Sequence, residues 1–179
     1  MKTEEYKISY EKGEDFLNRG DFNQAIKEFE IILEKWPNNP KSYNKLGVCY
    51  ASLKNFGKAK LYLAKAFEMD AKYPEPYNNL GNIYLEEKAY GKAIELYKKA
   101  LELNPDYAAA HSNLGLTYKK LKRIGEAVAH FKKASQIDRR APLSEINKIK
   151  MKSKNKVNTI AFIILILIGL IILLFFLKR

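Results

Sequence analysis

The sequence predicts an all-α solenoid of four stacked helical hairpins, followed by a capping helix and a single apolar helix at the C-terminal end. Three observations predict it. Five sequence columns recur every 34 residues. Each repeat holds two stretches whose apolar residues fall at three- and four-residue spacing. Residues 160–177 form an uninterrupted apolar run.

The columns are Gly13, Gly47, Gly81 and Gly115; Ala25, Ala59, Ala93 and Ala127; Phe16, Tyr50, Tyr84 and Tyr118; Phe29, Leu63, Tyr97 and Phe131; and Ile32, Ala66, Ala100 and Ala134. They divide the chain into an N-terminal extension, 1–5, and four units, 6–39, 40–73, 74–107 and 108–141. In the third unit Tyr77, Leu80, Gly81 and Tyr84 share one helical face. Tyr90, Ala93, Ile94, Tyr97, Ala100 and Leu101 share the next. Pro37 and Pro105 stand where the second helix must stop. Gly inside a helix costs about 1 kcal/mol relative to Ala, so four aligned Gly require a packing reason. Gly in the first helix and Ala early in the second let the two backbones cross closely, the aromatic column fills the space beside the crossing, and the later Ala column receives the first helix of the next unit. No unit buries its apolar face alone, which is why the units must stack. Ser9 and Lys12 weaken the first helix of unit one. The segment 142–157 opens on Pro142 like another first helix and is expected to cap the array and lead into the last segment.

Residues 158–179 are expected to be a transmembrane anchor with a short basic tail. The apolar run is 18 residues long, 16 of them Ile, Leu or Phe. As a helix it reaches roughly 27 Å, against a hydrocarbon core of about 30 Å. Insertion of such a run is favoured by roughly 5–10 kcal/mol. Lys148, Lys150, Lys152, Lys154 and Lys156 precede it and only Lys178 and Arg179 follow. That asymmetry places the N-terminal domain in the cytoplasm and the C-terminus on the far side of a membrane that the sequence does not name. The N-terminal residues contain no apolar stretch that would read as a signal peptide. The expected layout is therefore tail-anchored and single-pass.

Charge is distributed as unevenly as hydropathy. The chain carries 32 Lys and Arg against 20 Asp and Glu, a formal net charge of +12, yet the two signs balance through Tyr107. Residues 148–179 hold seven basic residues and no acidic one. The Lys collar is read as a topology signal that would also attract anionic lipid head groups, at about 1 kcal/mol per Lys near the surface. Nucleic acid is not an expected partner, because no aromatic residues interleave with these lysines.

Little else carries chemistry. One Cys excludes a disulfide framework and a Cys-based zinc site. Cys49 is read as a small buried thiol. His111 and His130 lack ligand spacing and are read as core or surface residues. No phosphate loop, nucleophile elbow or carboxylate pair appears, so neither an enzyme activity nor a metal or cofactor is expected.

The 34-residue period, the Gly–Tyr–Ala–Tyr–Ala–Pro order and the phrase YNNLGNIY resemble the tetratricopeptide repeat family over residues 6–141. The resemblance implies a right-handed solenoid whose first helices line a concave groove for a peptide or a partner helix. Carried over by position, that groove would be faced by Lys7, Tyr10, Glu14 and Leu17, then Lys41, Asn44, Val48 and Ser52. Glu75, Asn78, Asn82, Leu85 and Glu86 would come next, then Ala109, Ser112, Leu116, Lys119 and Lys120. Asn44, Val48, Asn78, Asn82, Leu85, Ser112, Leu116, Lys119 and Lys120 are the expected binding residues. Some family members clamp a chaperone's C-terminal carboxylate with a Lys and Asn set. Asn82 and Asn113 fit two of those positions, but Asn78 or Ala109 stands where a Lys is needed, so that clamp is not expected here. The expected function is a membrane-tethered scaffold that binds a protein partner in the groove. The alternatives are a subunit of a membrane assembly, secretion or import machine, and, in another class, a self-associating or anionic-lipid-binding structural protein. The oligomeric state is left open.

Overall fold

The computed structural model describes residues 2–140. They form eight α-helices and no strand: α1 (Lys2–Arg19), α2 (Phe22–Lys35), α3 (Pro40–Ser52), α4 (Phe56–Met69), α5 (Pro74–Glu86), α6 (Tyr90–Leu103), α7 (Ala108–Lys120) and α8 (Ile124–Arg140). The compact array ends at Ile137, and Asp138–Arg140 are the only described residues beyond it. The expected capping helix, Lys collar and anchor lie outside the described residues. Among the described residues no helix is long and apolar enough to cross a membrane.

Within a hairpin the chain turns in the same way four times. Gly20, Lys54, Lys88 and Lys122 take a left-handed backbone conformation, with φ of 85°, 60°, 60° and 59°. The next amide then donates back to the carbonyl of the aromatic column: Asp21 to Phe16, Asn55 to Tyr50, Ala89 to Tyr84 and Arg123 to Tyr118, at 2.8–2.9 Å. This is the Schellman arrangement, which satisfies carbonyls that a helix end leaves open. The first helices of units two and three start on Pro40 and Pro74, where the missing N–H costs nothing. Asn39 Oδ1 caps α3 by accepting from Ser42 N at 2.9 Å.

Packing obeys the columns. A Cβ built on Gly47 would lie 2.6 Å from Leu63 Cγ and 3.3 Å from the Ala59 carbonyl oxygen; one on Gly81 would lie 2.6 Å from the Tyr97 ring. The glycines therefore admit the bulky residue sixteen positions later, together with the backbone at the Ala column. Both Ala columns are buried, as are Phe29, Leu63 and Tyr97. Consecutive helices pack in order from α1 to α7, and the first helices α3, α5 and α7 also lie beside one another; α8 meets α7 where Phe131 and the Ala127 backbone approach Gly115. Ion pairs such as Lys45–Glu14 (2.6 Å) and Lys60–Glu87 (2.7 Å) bridge units, but pairs that remain partly in contact with water contribute about 1 kcal/mol or less. Burial of the columns holds the stack.

Lys2–Glu5, expected as an extension, are the start of α1. Ser9 and Lys12 do not prevent an 18-residue helix. The compensation is aromatic: Tyr6 meets Trp36 edge-on at 5.5 Å, Tyr10 at 5.6 Å, and Tyr10 meets Phe29 at 5.7 Å.

Candidate functional site

The first helices carry three adjoining hollows. The first, about 420 Å³, lies among the N-terminal ends of α3 and α5, with Tyr10, Asn44, Val48, Tyr73, Glu75 and Asn79 in its wall. The second, about 400 Å³, shares Val48 and Asn79 with it and continues to Ser52, Asn82 and Glu86. The third, about 490 Å³, shares Asn82 and Glu86 with the second and is completed by Leu85, Asn113, Leu116 and Lys120. Shared walls make the three a continuous trough along α3, α5 and α7.

Of the nine residues expected to bind, Asn44, Val48, Asn82, Leu85, Leu116 and Lys120 line this trough. Leu116 and Lys120 are exposed, and Val48, Asn82 and Leu85 are half-buried. Asn82 accepts from Tyr97 Oη at 2.8 Å, which fixes its orientation and leaves its amide N–H groups uncommitted. Ser112 is half-buried and Lys119 exposed, and neither belongs to the walls of the three hollows.

Asn44 and Asn78 behave differently from the expectation. Each is only 4% exposed. Asn79 Nδ2 donates to Asn44 Oδ1 at 2.9 Å, and Asn113 Nδ2 donates to Asn78 Oδ1 at 2.9 Å. Asn44 Nδ2 in turn reaches Tyr73 Oη at 3.2 Å. These amides form rungs between neighbouring first helices. A buried amide must find such partners, because an unpaired one costs about 1–3 kcal/mol. Their amides are spent on the stack rather than offered to a ligand. Asn79, Tyr73 and Tyr107 were not among the expected residues. Their signal was a column too: positions 73 and 107 immediately precede a first helix, and positions 79 and 113 each stand one residue after the column of Asn44, Asn78 and Ser112.

Cys49 is buried, and burial pushes its thiol up to about 12 against the opposing charge of Lys45. It is held as a neutral thiol at physiological pH.

His111 and His130 do meet. Their Nδ1 atoms are 3.0 Å apart, and His111 Nε2 lies 3.1 Å from the Pro105 carbonyl oxygen. Since Nε2 must donate to that carbonyl, neutral His111 accepts at Nδ1 and His130 donates. The pair occupies the columns of Tyr43 and Tyr62, which stack at 6.3 Å in unit two, and Tyr118 stacks on His130 as Tyr50 stacks on Tyr62. The nineteen-residue spacing was therefore a hairpin contact. Burial, then the neighbouring His111, holds His130 below its ordinary value of 6.5; Glu126 opposes the shift and Lys98 adds to it. The unfolded chain then takes up this proton first as pH falls. Stability from this site is complete above the unfolded value and declines as pH drops through it. Thermal melts of the full chain should fall between about pH 7.5 and about pH 5.5, and a His130→Gln chain should show a shallower decline. An equal decline in both would place the sensitivity elsewhere. Among the described residues no group of three His, Cys, Asp or Glu stands together as a metal site.

Three repeat-family models match the chain. Residues 10–74 and 108–140 match models described as tetratricopeptide repeat, and 81–122 one described as TPR repeat. No curated protein matches the sequence. Among solved structures, MamA is 25% identical with a TM-score of 0.62, covering 75% of this chain and 78% of that one. PilF of Pseudomonas aeruginosa is 25% identical with a TM-score of 0.69, over 76% of this chain and 63% of that one. The first such domain of Spaghetti (RPAP3), bound to the HSP90 peptide SRMEEVD, is 23% identical with a TM-score of 0.59, over 65% of this chain and 93% of that one.

Proposed function

We propose, on the premise that this chain carries tetratricopeptide repeats, that it is a protein-interaction scaffold whose trough binds a peptide or helix of a partner, and that residues 158–179 tether it to a membrane. The continuity of the three hollows carries the first half. Apolar Val48, Leu85 and Leu116 supply burial, Asn82 supplies two free amide hydrogens for a main chain, and Lys120 supplies charge at one end. The Spaghetti domain is bound to an acidic HSP90 peptide; here Asn113 is committed to Asn78, and Asn78 or Ala109 stands where the clamp needs a Lys, so the proposed ligand is not such a tail. The tether rests on the apolar run 160–177 and on the lysines before it, which put the array on the cytoplasmic side. Confinement to a surface raises local concentration, so a modest groove affinity suffices.

The test is site-specific photocrosslinking of the full chain in native membranes. A photoreactive residue at position 116 should capture a discrete partner, and the same residue at Leu61 on α4 should not. With the photoreactive residue kept at position 116, Val48→Ala with Leu85→Ala should lower the yield by about tenfold. Equal capture from both positions, or an undiminished yield, counts against the trough. Extraction by carbonate counts against the tether.

A further inference from the structure

One hollow of the trough holds a carboxylate oxygen without a partner. Glu75 Oε2 is buried, and no donor reaches it. Glu75 stands in the first turn of α5, and a helix N-terminus favours an acid there, but an exposed carboxylate would gain that without being buried. The same place in the other units holds Lys7, Lys41 and Ala109. The repeat therefore does not call for an acid at this position.

The surroundings specify what would neutralise it. The hollow is about 420 Å³ and is walled by Tyr10, Tyr73 and Tyr107 from three different units. Tyr73 Oη accepts from Asn44, which turns its own proton outward. Burial raises all three phenols, Tyr107 to about 12, and the negative charge of Glu75 adds to the rise at each. They are neutral donors and ring faces, with no charge of their own. Lys45, also in the wall, is committed to Glu14 at 2.6 Å, and Lys41 is exposed and forms no ion pair with Glu75. An anion would be repelled by the carboxylate. A neutral ligand would leave the charge uncompensated. One carboxylate among phenols is too poor in anionic ligands for a divalent metal. An ammonium or guanidinium group satisfies the carboxylate and gains from the ring faces.

We infer that this hollow is a cation subsite, which takes the Lys or Arg side chain of the bound partner segment with Glu75 as counter-ion and the tyrosine rings as walls. The inference rests on the trough being the partner-binding face. It adds a specificity: one basic side chain anchors the segment at the N-terminal ends of α3 and α5, while the apolar part lies toward Leu85 and Leu116.

The probe is N-acetyl-lysine amide, with N-acetyl-norleucine amide as its uncharged counterpart. Both are titrated into the full chain in detergent micelles. The ring resonances of Tyr10, Tyr73 and Tyr107 are followed, each assigned by its Tyr→Phe variant. The lysine derivative should shift all three saturably, and the norleucine derivative should not. Glu75→Gln should weaken the lysine derivative about tenfold, yet melt higher than the native chain, because it removes the charge from a half-buried carboxylate with one oxygen buried out of reach of any donor. Equal shifts from the two derivatives, undiminished binding by Glu75→Gln, or a lower melting temperature for that variant each overturn the assignment. Should Val48→Ala with Leu85→Ala abolish partner capture from position 116 while the lysine derivative fails to saturate, the subsite falls and the scaffold stands. Saturable, Glu75-dependent binding without any partner capture leaves the subsite and removes the scaffold.

Discussion

Replacing Tyr97 with Ala should destabilise the array by about 3–5 kcal/mol, a large part of the roughly 5–15 kcal/mol that holds an ordinary domain together. Tyr97 is 0% exposed and sits in one cluster with Ala93, Leu114, Tyr118 and Ala127, so it joins the third unit to the fourth. Its hydroxyl donates to Asn82 at 2.8 Å. Truncation opens a cavity and removes that bond together. Tyr97→Phe loses the hydroxyl alone and should cost about 0.5–1.5 kcal/mol. Phe131 occupies the same column in unit four but is 39% exposed, so Phe131→Ala should cost only about 1–2 kcal/mol. Urea unfolding measured by circular dichroism reads all three. Equal losses at positions 97 and 131 would show that burial of the columns is not what holds the array together.

Gly81→Ala should destabilise by about 1–3 kcal/mol, while the same change ten residues later, at Gly91, should stabilise by about 0.4–1 kcal/mol. Both glycines are helical. An added methyl at Gly81 would come within 2.6 Å of a ring that is buried and tied at its hydroxyl, so something must shift. An added methyl at Gly91 meets nothing within 4 Å and only restricts the unfolded chain. Ala is the better helix former at both places by about 1 kcal/mol. Opposite signs from one chemical change therefore isolate packing from propensity. Stabilisation at both positions would mean that Tyr97 yields freely, and the reason given for the fixed spacing between the Gly and bulky columns would be wrong.

The hairpins were legible because their determinants are columns: a small residue facing a large one sixteen positions later repeats regardless of what surrounds it. The trough was only partly legible. Helical periodicity places Asn44, Asn78 and Asn82 on similar faces of their helices, but it does not say which amide meets the next unit. The partner of Asn44 is Asn79, 35 residues on, one more than the period. A search in register sees like beside like and passes over that diagonal. The His111–His130 contact was hidden for a related reason. Ligand spacings are local, whereas this pair joins the two arms of one hairpin, and only its Tyr43–Tyr62 counterpart gives it away. Glu75 was placed on the groove, but the tyrosines that share its hollow come from three units, and no single helix reveals them.

The diagonal amide rungs bear on how such a chain can grow. Unit three carries both halves of the device, Asn78 to accept from the unit ahead and Asn79 to donate to the one behind. A tandem copy of residues 74–107 inserted after the original would meet its own kind on the new seam and orphan no amide. A copy of unit one set into that same seam would bring Tyr10 and Glu11 to those places and break the relay. Lengthening is thus open to a second copy of unit three, whose own pair of amides closes the new seam, and closed there to a unit that lacks them.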